Sequence, residues 1–110
     1  MKYFDNWNSY DAMVADFSQA VDANDDEILF AQYGYESYEG NACVLFQRNG
    51  VLYRVDAGHC SCYGLEGQWT PEETLWKAEA MRPRDYGYSM SQEALTAFWA
   101  LVDANVNKEN

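Results

Sequence analysis

The chain has 110 residues, enough for one domain. Its 48% apolar and 16% aromatic residues can fill a core, which excludes a disordered chain. Seven basic against eighteen acidic residues leave a net charge of −11. That excludes a duplex-binding surface, because phosphate contacts need clustered Lys and Arg. No apolar run approaches the ~18 residues of a membrane helix. The start, Met1-Lys2-Tyr3-Phe4-Asp5-Asn6-Trp7, lacks the apolar stretch of a signal peptide. The expectation is a cytoplasmic protein with no membrane partner and no direct nucleic-acid partner.

Residues 8–23 read as a helix. Tyr10, Met13, Val14, Phe17 and Val21 fall on one apolar stripe, with Asn8 as a candidate cap and Asp11 near the positive end. Ile28 to Tyr33 is a short β-favouring run, read as a buried strand, and residues 34–41 read as a loop. Asn49-Gly50 sits between two apolar runs, 43–48 and 51–56, which is a hairpin signal. A two-residue turn sets residue 48 opposite 51, 46 opposite 53, 44 opposite 55 and 43 opposite 56. One hairpin face then carries Val44, Phe46, Tyr53 and Val55 for the core. The other carries Cys43, Leu45, Gln47, Leu52, Arg54 and Asp56, and is expected to be half wet.

Residues 57–69 read as a loop. Thr70-Pro71-Glu72-Glu73 has the pattern of a capping box with proline at the first helical position. It predicts a helix to about Arg82, stopped by Pro83. A last helix starts at Ser89 or Ser91 and carries Leu95, Phe98, Trp99, Val102 and Val106 on one stripe. The tail from Asn107 reads as frayed. The predicted fold is α+β, a two-layer sandwich in the order α-β-β-β-α-α. A small antiparallel sheet of about three strands carries helices on one face.

Three cysteines, Cys43, Cys60 and Cys62, with no leader sequence, predict reduced thiols and no structural disulfide. His59, the only histidine, adjoins Cys60-Ser61-Cys62. These three with an acid such as Glu66 are a candidate zinc site, and the tight Cys-x-Cys spacing counts against it. The other reading is two small, soft side chains packing a tight turn. Cys43 does not complete the set if the strand runs straight on, because Cys60 then lies about 13 Å along it. A thiol nucleophile needs a base from elsewhere in the chain, and no second histidine exists.

The block from Ile28 through Glu73 is centred on His59-Cys60-Ser61-Cys62-Tyr63-Gly64-Leu65-Glu66-Gly67-Gln68-Trp69, with Pro71-Glu72-Glu73 behind it. It resembles a family of small phage and prophage proteins over a little under half of the chain. The resemblance implies a phage or prophage origin, hence a bacterial host. It implies no activity and no site residues.

Other motifs fail on their own chemistry. Asp22-Ala23-Asn24-Asp25-Asp26-Glu27 starts like a calcium loop, but Glu27 stands where glycine is required and Tyr33 where glutamate is. No phosphate-binding glycine loop is present. Charge patterning says more. Between Lys2 and Arg48 lie nine acids (Asp5, Asp11, Asp16, Asp22, Asp25, Asp26, Glu27, Glu36 and Glu39) and no base. Tyr33, Tyr35 and Tyr38 fall in the same stretch, and tyrosines favour interfaces. One reading is a solvated face that keeps the chain soluble. The sharper reading is a docking face for a basic host protein, built from Asp22, Asp25, Asp26, Glu27, Tyr35, Glu36, Tyr38 and Glu39. It predicts a non-enzymatic module, monomer or homodimer, that inhibits a nucleic-acid-handling or defence protein. A homodimer would pair sheets through Leu45, Leu52 and Tyr53.

Overall fold

The computed structural model describes residues 3–4, 7, 9–18, 21–36, 39–59, 64–83 and 90–108, the side chains of 35, 36, 39 and 59 excepted. The elements are β1 (Tyr3–Phe4), α1 (Tyr10–Phe17), β2 (Ile28–Glu36), β3 (Glu39–Arg48), β4 (Val51–His59), β5 (Glu72–Thr74), α2 (Trp76–Ala80) and α3 (Gln92–Asn105). Short 3-10 turns precede β2, at Asp25–Glu27, and follow α3, at Val106–Lys108. The strands form one sheet in the order β1-β2-β3-β4-β5. β1 runs parallel to β2, and the other neighbours are antiparallel. The α+β class is as expected. The sheet has five strands instead of about three, and the order begins with a strand.

The Asn49-Gly50 turn forms as its chemistry demands. Both residues take positive φ, 53° and 81°, the requirement of a tight hairpin turn that matches strand twist. The register is the expected one: Arg48 opposite Val51, Phe46 opposite Tyr53, Val44 opposite Val55, Cys43 opposite Asp56. Residues 34–41 are not a loop. β2 continues to Glu36, and β3 begins at Glu39, opposite it. Tyr33 and Tyr35 are β-favouring, and the ladder to β3 satisfies their backbone groups, which a loop would leave to water.

β1 escaped the sequence reading because two residues carry no periodicity. Tyr3 pairs with Phe30, and the two rings stack at 5.5 Å. Parallel neighbours need a crossover connection. α1, which lies between β1 and β2 in the chain, supplies it. Ser9 caps α1 by accepting from the Ala12 N–H, and Ser18 ends it in the left-handed region at φ 49°. The helix is therefore shorter than residues 8–23. The Asn8 cap lies outside the described residues, and Val21 still packs on the first core.

Sheet alternation separates two cores. Met13, Phe17, Ile28, Ala42, Val44, Phe46, Val55, Leu65 and Trp69 pack together with α1. Phe30, Cys43, Leu45, Leu52, Trp76, Phe98, Leu101 and Val102 pack together with α2 and α3. Helices thus cover both faces, where one face was expected. On the face expected to be half wet, Cys43, Leu45, Leu52 and Arg54 are buried, while Gln47 and Asp56 are exposed. Leu45 and Leu52 lie under α3, and Tyr53 lies on the opposite face, so these three cannot pair two sheets.

Thr70-Pro71-Glu72-Glu73 does not start a helix. Glu72, Glu73 and Thr74 pair with Arg54, Tyr53 and Leu52 as an edge strand. Ladder bonds to β4 outweigh the local capping signal, and the two exposed glutamates protect the edge from further pairing. The helix begins only at Trp76 and ends before Pro83 as expected. In α3, Ser91 caps by accepting from the Ala94 N–H, and the chain expected to fray continues as the 3-10 turn through Lys108. Among the described residues, no helix is long and apolar enough to cross a membrane.

Candidate functional site

The acidic residues near α1 are organised around two aromatic anchors. Trp69 sits against Phe17 and Phe46 and donates its Nε1–H to Asp22 Oδ1 at 2.6 Å. Tyr10, from α1, donates its hydroxyl to the Ala23 carbonyl at 2.5 Å. These bonds tie the chain at 22–23 to the first core. Burial raises the Tyr10 pKa, and the charges of Asp25, Asp11 and Glu27 raise it further. Three carboxylates from two elements thus share one field at that phenol.

Arg48, the one described cation beside them, is engaged. Its Nε donates to Glu27 Oε2 at 2.9 Å, its guanidinium reaches the Asp22 carbonyl, and its Nη1 lies 3.9 Å from Asp22 Oδ2. Its guanidinium carbon lies 5.4 Å from the centre of the Phe46 ring, on the α1 side of the sheet. The Glu27 carboxyl is held below its ordinary value of 4.5 by the Arg48 hydrogen bond, and next by the Asn24 backbone N–H. A lowered carboxyl stabilises the fold above its unfolded pKa, and that contribution is lost as pH falls through the folded value. Glu27→Gln is therefore expected to lower Tm at pH 7 and to lower it less near pH 3. Thermal melts at both pH values check this, and an equal loss at both would refute it.

The described backbone places the expected site residues in two groups. Asp22, Asp25, Asp26 and Glu27 stand just before β2, while Tyr35, Glu36 and Glu39 stand at its far end. A nine-residue strand separates them by about 26 Å. The side chains of 35, 36 and 39, and all of Tyr38, lie outside the described residues. Tyr33 packs 5.2 Å from the Trp7 ring and is half-buried. Asp11, on an exposed position of α1, shares the field at Tyr10 with Asp25 and Glu27, and Asp16, also on α1, accepts from the Trp7 indole N–H at 2.5 Å.

Of the cysteine–histidine segment, Cys60 and Cys62 lie outside the described residues, as does the His59 side chain. The backbone of β4 runs on through Gly58 to His59, which pairs with Gly40. Among the described residues, up to His59, there is no fold-back towards Cys43, which pairs three residues earlier. The Cys43 thiol is buried and pushed up to about 12 by desolvation, so it is neutral at pH 7 and a poor nucleophile. Among the described residues, no three metal-ligating side chains come together.

The opposite face of the sheet holds a polar cluster that the sequence did not signal. Arg54, 6% exposed, donates to Glu79, 1% exposed, and donates Nε to Asp56 Oδ2 at 2.8 Å. Arg82 Nε donates to the same Glu79 oxygen at 3.1 Å, and Thr74 Oγ1 donates to the other at 2.8 Å. Burial opposes the Arg54 charge, and the neighbouring Cys43, Asp56 and Glu79 more than restore it. Beyond β5, the Gln68 amide pairs with the open edge of β4. It accepts from the Gly58 N–H at 2.9 Å and donates to the Gly58 carbonyl at 2.8 Å. Beside this cluster is an open-sided cavity of about 560 Å³. Its described lining includes Gln32, Cys43, Arg54, Asp56, Ala57, Gly58, Gln68, Arg82 and Met90.

Comparison with family models, with curated proteins and with solved structures finds no match.

Proposed function

We propose that the protein is a non-enzymatic binding module that docks a basic partner through the face built on α1 and residues 22–27. In this reading the partner is a host protein of a phage-derived chain. Its basic surface is one that normally holds nucleic acid, and docking inhibits it. The observation that carries the reading is the division of charge by the sheet. On the α1 side, Asp11, Asp25 and Glu27 surround Tyr10, Asp16 accepts from Trp7, and Arg48 is already engaged by Asp22 and Glu27. The other described cations, Arg54, Lys77, Arg82 and Lys108, belong to β4, α2, the turn just after α2 and the 3-10 turn beyond α3. A one-signed face raises local potential and steers an oppositely charged partner. Glu36 and Glu39 stand too far away to share that contact and would engage a second point on a large partner.

Two charge-reversed proteins of equal net charge test this. One carries Asp11→Lys, Asp25→Lys and Asp26→Lys; the other carries Glu72→Lys, Glu93→Lys and Asp103→Lys. Capture from bacterial lysate at low salt should retain a basic protein on the wild type and on the second variant only. Retention should be lost at ~0.5 M salt, where screening is strong. Equal retention by both variants would overturn the reading.

A further inference from the structure

A second open-sided cavity, of about 440 Å³, lies on the α2–α3 side at the hairpin end of the sheet. The turn at Gly50 and Val51, β5, the start of α2 and the 3-10 turn after α3 border it. Leu52 and Trp76 line it and belong to the second core, so part of its wall is apolar and fixed. Leu75 lines it too and is 57% exposed, one of two large apolar side chains left to solvent among the described residues. The volume falls within the range of small-molecule sites.

The polar part of the lining is accessible and unused. Lys108 and Glu73 both border the cavity, and both are exposed. Among the described residues neither side chain has a hydrogen-bond or ion-pair partner, so two opposite charges share one cavity without meeting. Asn105 adds an acceptor. Its Nδ2 donates to the Leu101 carbonyl at 2.8 Å, and its Oδ1 accepts from no described residue. Each charge selects its own complement, whatever the net charge nearby. An ammonium only donates and a carboxylate only accepts, and hydrogen bonds between ions are the strong ones.

We propose that this cavity binds an α-amino acid with an apolar side chain. The ligand carboxylate pairs with Lys108. Its ammonium pairs with Glu73 and donates to the Asn105 oxygen, and its side chain covers Leu52, Leu75 and Trp76. The cavity lies across the sheet from the docking face, and neither proposal depends on the other.

The test titrates ¹⁵N-labelled protein with L-leucine, with isoamylamine, which lacks the carboxylate, and with 4-methylpentanoate, which lacks the ammonium. L-leucine should shift the backbone signals of residues 50–52, 73–76 and 105–108 saturably. Each analogue should bind about tenfold more weakly, having lost one charged contact. Lys108→Met and Glu73→Gln alter exposed side chains, so both proteins should keep the wild-type melting temperature. Lys108→Met should weaken L-leucine about tenfold and leave isoamylamine unchanged. Glu73→Gln should weaken L-leucine about tenfold and leave 4-methylpentanoate unchanged. The proposal is overturned if L-leucine gives no saturable shift, or if either analogue binds as tightly as L-leucine. Undiminished L-leucine binding by either variant would overturn it as well.

Discussion

Glu79→Ala is expected to destabilise the fold by about 3–5 kcal/mol, the usual cost of removing one partner from a buried ion pair. Glu79 is 1% exposed and accepts from Arg54, Arg82 and Thr74. Without it, Arg54 stays buried on the sheet beside Asp56, whose side chain is 64% exposed. Water screens that pair, so it cannot replace Glu79. Asp56→Ala should accordingly cost under ~1 kcal/mol. The double variant Arg54→Met, Glu79→Leu should recover most of the loss, because an apolar pair removes both desolvation penalties. Urea unfolding of the four proteins checks the set. A Glu79→Ala cost no greater than that of Asp56→Ala would contradict the assignment.

Trp69→Ala should cost a similar ~3–5 kcal/mol through a different cause. Trp69 is buried against Phe17 at 5.2 Å and Phe46 at 5.7 Å, closing the first core where the chain returns from β4. Alanine leaves a cavity there that a sheet on one side and α1 on the other cannot collapse into. Trp69→Phe separates packing from hydrogen bonding. It keeps a ring and loses the donor to Asp22, so it should cost about 1 kcal/mol. It also frees Asp22 from the core, which links a packing residue to the proposed docking face. If Trp69→Phe proved as damaging as Trp69→Ala, the indole N–H would matter more than this account allows.

The hairpin was the most legible part of the sequence, because Asn49-Gly50 fixes turn and register by local chemistry alone. The stripe of α3 was legible for the same reason, since one periodic face of fourteen residues needs no distant partner to be recognised. What failed depended on partners far away in sequence. Glu72-Glu73-Thr74 becomes a strand because β4 offers an edge, a fact absent from residues 70–73 themselves. Cys43, Leu45 and Leu52 looked half wet because their cover, α3, lies about fifty residues later. The acidic stretch was visible as composition. Its split between the two ends of β2 became visible only once that strand was known to run to Glu36.

The central claim is that charge is divided by the sheet and that the α1 side is the docking side. The most direct measurement titrates ¹⁵N-labelled protein with a lysine octapeptide at low salt and maps the backbone shifts. The account predicts shifts concentrated at residues 10–17 and 21–27, lost at ~0.5 M salt and absent from the Asp11→Lys, Asp25→Lys, Asp26→Lys protein. Shifts spread evenly over α3 and β5, or unmoved by salt, would contradict it.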